Sequence, residues 1–100
     1  SSAEMSKLVI VAQIKAKADK AELVEAELRK LIPITVKEEG CIKYELHQDN
    51  TDKSQFLFYE VWSNRDLWQN HMKNQHLKDY LAAVDGSIEE FKLNELSWIG

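Results

Sequence analysis

The chain has 100 residues, 44% hydrophobic and 30% charged, and its 17 acidic against 13 basic side chains give a net charge of -4. That length supports one domain with one core and a large surface share, while the acidic balance and the lack of any long Lys/Arg run exclude nucleic acid and anionic membrane as natural partners. The single Cys41 leaves no internal disulfide framework, no apolar run approaches the roughly 20 residues of a membrane span, and no basic-then-apolar leader opens the chain, so a cytoplasmic protein is expected.

Residues 5–100 read as a single domain, and Ser1–Glu4, which precede an internal Met5, read as an expression remnant. The first element is a strand over Lys7–Lys15, with Leu8, Ile10, Ala12 and Ile14 on one face and Val9 and Val11 on the other. Apolar side chains on both faces mark a strand that is central or covered twice. Asp19 followed by Glu22 predicts a helix start, and Val24, Leu28, Leu31 and Thr35 recur at helical spacing toward Glu39. Pro33 lies inside that helix and removes an amide, so a kink or split near Lys30–Ile32 is expected, and Gly40 is the expected left-handed stop.

A second strand is predicted over Cys41–Gln48, with Ile42, Tyr44 and Leu46 on one face and Cys41, Lys43, Glu45 and His47 on the other. Asp49–Ser54 holds turn formers and nothing apolar, which predicts a hairpin into Gln55. In the third strand Phe56, Phe58, Glu60 and Trp62 alternate with Leu57, Tyr59 and Val61. Ser63 and Asp66 suggest a capping box for the helix that follows. Asn74 is placed to cap a further helix with a Leu77, Tyr80, Leu81, Val84 stripe closed by Gly86. Phe91–Ile99 is the last strand, with Phe91 and Leu93 on one face and Leu96 and Trp98 on the other.

The order β, α, β, β, α, β with right-handed crossovers predicts an α+β, ferredoxin-like fold: a four-stranded antiparallel sheet with helices on one face. Helices cover only that face, yet the first, third and last strands are apolar on both. A patch of that kind exceeds what soluble monomers expose, so a homodimer packed through the second sheet face is expected.

Two polar residues interrupt the apolar pattern where it is strongest. Glu60 lies mid-strand among aromatics, and His71 falls four residues after Leu67 on the inner stripe of its helix. Burying either without a partner is costly, which points to a hydrogen-bonded pair or a ligand. His71 and His76 are five apart and so do not share a helical face as a metal pair would, His47 sits on a distant strand, and no metal site is expected. Cys41 reads as a small hydrophobe with no base beside it, and Trp68 as helix packing.

The segments EEGCIKYELHQD and FLFYEVWSNRDLWQNHMKNQHLKDY resemble the antibiotic biosynthesis monooxygenase superfamily. Gly40, Tyr44, the Glu60 and Trp62 alternation, His71 and His76 carry the resemblance, which extends from Lys7 to about Phe91. It implies a dimeric α+β barrel of ferredoxin-like subunits with a pocket between sheet and helices. Haem-degrading relatives carry a Trp where this chain has His71, and Ala82 and Ala83 occupy the region of their iron ligand. The resemblance therefore implies a cofactor-free monooxygenase acting on a quinol or polyhydroxylated aromatic with dioxygen.

In that reading His71 is the base, Glu60 orients it or takes the proton onward, and Tyr44 donates to the developing anion. Trp62, Phe58 and His76 contact the substrate. Two alternatives stay open: a non-catalytic ligand-binding or stress-response dimer of the same fold, and an isomerase of a small phosphorylated signal like the autoinducer-2 phosphate enzyme. The second lacks a Gly-rich phosphate cradle and has only Arg29 and Arg65 to offer.

Overall fold

The computed structural model describes residues 6–100; the expected remnant at 1–4 lies outside the described residues. Four strands, β1 (Leu8–Ala16), β2 (Cys41–Gln48), β3 (Gln55–Trp62) and β4 (Ile88–Ser97), alternate with α1 (Ala21–Thr35) and the pair α2 (Arg65–Met72) and α3 (Gln75–Ala83). They form one antiparallel sheet in the order β2-β3-β1-β4, as a ferredoxin-like chain requires. The two-residue period of β1 and β3 sends Ile10, Ala12, Ile14, Phe56, Phe58, Glu60 and Trp62 to one buried face. Val24, Leu28, Leu31 and Thr35 of α1, Trp68 and His71 of α2 and Leu77 of α3 are the buried helix residues that cover it.

Several local expectations shift, each for a physical reason. Asp19 does not cap α1, because Ala18–Lys20 coils into a 3-10 turn closed by Lys20 N–H on the Lys17 carbonyl, and the helix starts after it. Pro33 does not split the helix, and the helix does not run on to Glu39. The proline falls in the last turn, where one missing amide costs one bond, and α1 ends two residues later at Thr35. Ser63 is not the cap of α2; Asn64 is, with Oδ1 accepting from Leu67 N–H at 2.9 Å. Asn74 begins α3 without a side-chain cap because its amide is engaged elsewhere.

In β2 the expected face assignment fails at its first residues. Cys41 pairs with Trp62 and Lys43 with Val61, so Ile42 is the extra residue of a bulge and stands 47% exposed, while Cys41 packs against the core. Leu81 drops out of the α3 stripe at 62% exposed. The last strand starts earlier than expected, at Ile88, and ends at Ser97, leaving Trp98 beyond it. Its faces alternate as read: Phe91 and Leu93 lie opposite Ile14 and Ala12, Leu96 opposite Val9.

Gly40 carries a close approach between elements. It adopts φ 86°, and a Cβ built there would lie 2.5 Å from Leu67 Cδ1, so it must lack a side chain for β2 to meet α2. Ser63 N–H donates to the Gly40 carbonyl at 2.8 Å and fixes where β3 hands over to α2. This contact brings the loop that precedes β2 over the inner end of α2.

Candidate functional site

β3 and α2 deliver the polar pair, since the alternation that buries Phe58 and Trp62 must also bury Glu60, and the α2 stripe that buries Trp68 also buries His71. Glu60 is 5% exposed and His71 2%. Together with Tyr44 and Phe58 they line a cavity of about 50 Å³ between sheet and helices, whose walls include Ala12, Leu28, Leu77 and Leu93. Met72 and Phe91, both substantially exposed, stand at its edge. Four of the six site residues read from the sequence therefore share one cavity.

The other two do not line it. Trp62 is fully buried, and its ring lies against His71 with centroids 4.8 Å apart. His76 belongs to α3 and packs its ring 5.6 Å from that of His71. Tyr44 stacks on Phe58 at 4.3 Å and meets His71 edge-on at 5.6 Å, so the imidazole plane is held from two sides.

Glu60 and His71 are not hydrogen-bonded to each other, contrary to the expected orienting role. Glu60 Oε1 accepts from Trp62 Nε1 at 2.9 Å. His71 Nδ1 instead lies 2.6 Å from Oε1 of Glu38, a residue of the turn after α1. His76 Nε2 is 3.2 Å from the same oxygen and 3.0 Å from Thr35 Oγ1, and Asn74 Nδ2 donates to Glu38 Oε2. Glu38 escapes sequence reading because it sits in a polar turn with no periodicity to mark it, and Thr35 and Asn74 read only as a stripe residue and a helix cap.

His71 and His76 do not share a helical face, as α2 ends and α3 begins between them, yet the bend folds their rings together. One ligand atom each from Glu38, His71 and His76 falls within 4.8 Å of the others. Donor atoms around a tetrahedral ion, at roughly 2.0–2.1 Å from it, would stand roughly 3.4 Å apart. The 2.6 Å between Glu38 Oε1 and His71 Nδ1 is instead the separation of a charge-assisted hydrogen bond. A resident ion would have to spread these side chains.

Burial sets the proton affinities here. It pushes the Glu60 carboxyl up to about 7, against the opposing Trp62 hydrogen bond and with Glu38 adding negative charge nearby. The same burial lowers His71, against the pull of Glu38, so the imidazole is neutral at pH 7. Burial also raises the Tyr44 phenol far above its ordinary range, leaving a donor that stays protonated. Cys41 is pushed up to about 11 and is no nucleophile.

The raised Glu60 has a thermodynamic consequence. Between its ordinary value of 4.5 and about 7 the folded chain keeps a proton that the unfolded chain releases. This contribution to stability is full below the lower value and lost as pH rises through the upper one, on the order of 3 kcal/mol at about 1.4 kcal/mol per tenfold in proton affinity. Urea titrations between about pH 5 and about pH 8 should show that decline in the wild type and a flatter profile in Glu60→Gln. Parallel profiles would mean that Glu60 ionises like a surface acid.

A larger depression of about 650 Å³ lies on the opposite sheet face, lined by Val9, Tyr59, Val61, Leu96 and Trp98 with Lys7 and Ser97. It holds no carboxylate, imidazole or thiol, whereas the smaller cavity holds Glu60 and His71. Among the described residues no helix is long and apolar enough to cross a membrane.

Comparison with known proteins fits this geometry. The family model for antibiotic biosynthesis monooxygenase matches residues 7–83. An uncharacterized protein of Synechocystis, sll1783, is 32% identical over 94 residues, covering 88% of this chain and 64% of that protein. This chain spans a little under two thirds of that relative. The crystal structure of PA3566 from Pseudomonas aeruginosa superposes with a TM-score of 0.91 at 28% identity, covering 97% of this chain and 98% of that one. A crystal structure named as an antibiotic biosynthesis monooxygenase shares the fold, with a TM-score of 0.87 at 22% identity over 93% of this chain and 99% of that one.

Proposed function

Since the chain belongs to the antibiotic biosynthesis monooxygenase family, we propose that it oxidises a quinol or related polyhydroxylated aromatic with dioxygen, without metal or flavin, as a homodimer. The observation that carries this reading is the convergence, in one apolar cavity, of a neutral imidazole, a carboxyl near 7 and a phenol that stays protonated. Those are the groups that proton removal from a phenol requires near neutral pH.

In this reading His71 takes the proton of a substrate hydroxyl: the O–H bond breaks, an N–H bond forms, and the electron pair stays on the ring oxygen. Tyr44 donates to that oxygen, and Phe58 and Leu28 keep the site dry so that the anion's charge is met by fixed dipoles instead of water. The electron-rich ring then gives one electron to dioxygen, the two radicals join through a C–O bond, and the adduct takes up the proton first removed to become a hydroperoxide. The ring C–H bond then breaks, its electron pair forms the C=O as the O–O bond cleaves, and the outer oxygen leaves as water with the C–H proton. Glu60, whose carboxyl is raised to about 7, returns a proton to the departing oxygen in this reading. Trp62 supports the His71 ring from behind.

A cavity of about 50 Å³ is too small for an aromatic ring; benzene is taken up by cavities of about 150 Å³. Entry therefore requires Met72 and Phe91 at the edge to swing outward, which a flexible thioether and a half-exposed ring can do without disturbing the sheet. Oxygen uptake with a panel of hydroquinones, run with and without a chelator, tests the proposal. Uptake that depends on the quinol and persists with chelator is expected. Tight retention of flavin, or activity lost to chelation and restored by one particular ion, would overturn the cofactor-free reading.

A further inference from the structure

Glu38 is the feature of the site that the proposed chemistry has not yet used. Its backbone is tied at both ends, with its N–H on the Thr35 carbonyl at 3.0 Å and its carbonyl accepting from Cys41 N–H at 3.2 Å, so the end of α1 and the start of β2 fix where the side chain stands. Its carboxylate, 13% exposed, is met by His71 from α2, His76 from α3 and Asn74 from the turn between them. No other carboxylate in the site accepts from an imidazole.

A carboxylate has no proton to donate, so the 2.6 Å contact requires the hydrogen to be on His71 Nδ1. A neutral imidazole carries only one N–H. Its Nε2 is then left with a lone pair, and Trp62 and Tyr44 pack on the ring and hold its orientation.

We propose that Glu38 is the positioning residue of this site, locking His71 in the tautomer whose Nε2 accepts the substrate proton and neutralising the imidazolium that results. His76 and Asn74 serve to hold Glu38, and His76 does not contact the substrate. The inference rests on the cofactor-free reading above for its role in turnover, but its tautomer half stands apart from any reaction. When the substrate O–H breaks and Nε2–H forms, the new positive charge lies beside a carboxylate already in place, so nothing has to reorganise.

Nitrogen-15 NMR of histidine-labelled protein reads the tautomer directly. In the wild type His71 should show a protonated Nδ1 and an unprotonated Nε2; in Glu38→Ala the two nitrogens should average, and Glu38→Asp should recover part of the wild-type pattern. A His71 tautomer that stays fixed in Glu38→Ala would overturn the proposal. Should that variant fail to fold, Glu38→Gln keeps the shape and removes the charge, and the His71 titration midpoint should move to lower pH. Glu60, Tyr44, His76 and Tyr80 also face this region and are unchanged in that variant, so an unmoved midpoint counts against Glu38.

Turnover supplies the second readout. Loss of a group that orients a metal-bound histidine typically costs about 10- to 100-fold; a loss of about that size is expected for this metal-free histidine, falling on kcat with KM little changed. A scrambled tautomer with unchanged kcat would also overturn the positioning role. Failure of every hydroquinone with the wild type would instead strike the functional reading, while the NMR result would still decide the tautomer.

Discussion

His71→Ala is expected to lower turnover by about 10² to 10⁴ per folded molecule, the range typical of a lost acid-base group. The size follows from the geometry. His71 is the imidazole that lines the cavity, and the other groups there are ill-suited to take its place: Tyr44 holds its proton far above neutrality, and Glu60 shares its oxygen with the Trp62 indole. The same substitution leaves a cavity beside Trp62 and takes one of three donors from Glu38, so a loss of about 1–3 kcal/mol in stability accompanies it. Both effects must be read together. Oxygen consumption normalised to the folded fraction from a urea titration separates them, and a destabilised variant with wild-type turnover per folded molecule would remove His71 from the chemistry.

Why this pair of residues could be read from the sequence, and Glu38 could not, is a matter of periodicity. Glu60 and His71 occupy positions where the period of their element demands an apolar side chain, so each announces itself as a violation. Glu38 belongs to Lys37–Glu38–Glu39, a polar run in a turn, where a partly buried carboxylate looks like any solvated one. Its partner is 33 positions away in the chain. Only the close approach of β2 to α2 over Gly40 makes the two neighbours, and that contact is tertiary.

The same limit explains the smaller shifts. The β2 boundaries follow from the sequence, but the bulge at Ile42 depends on which residue of β3 pairs with Cys41, and register across strands leaves no local trace. Ser63 and Asn64 are equally good caps by chemistry; the Ser63 N–H bond to Gly40 decides between them. His71 and His76 appear unrelated on a single helix, and become neighbours because the chain bends between α2 and α3.

Val9→Asp is expected to convert a concentration-stable dimer into monomer or aggregate, and it tests the part of the proposal that concerns the outer sheet face. Across that face the register aligns Lys43, Val61, Val9 and Leu96 in one row, one residue from each strand, with Tyr59 and Val11 in the next. None of these is covered by a helix, because both crossovers lie on the opposite face. Leu96 stands 42% exposed and Trp98 46%. Burying such a row is the gain a second copy offers, at about 25 cal/mol for each Å² of apolar surface removed from water. A carboxylate at position 9 would be flanked by Val61 and Leu96, with Lys43 two strands away in its row and Lys7 two residues back at the same depression, neither of them aligned directly opposite it. Each dimer would bury two of them, and an uncompensated buried charge costs about 3–5 kcal/mol, so the dissociation constant should rise by at least about a thousandfold. Light scattering across a dilution series should give the wild type a mass near twice 11.6 kDa and the variant a mass that falls to that of one chain or climbs without limit. A wild-type protein that runs as a monomer at every concentration would leave the apolar row facing water, and the homodimer would have to be abandoned while the cavity and its His71 chemistry, which lie wholly within one chain, would stand.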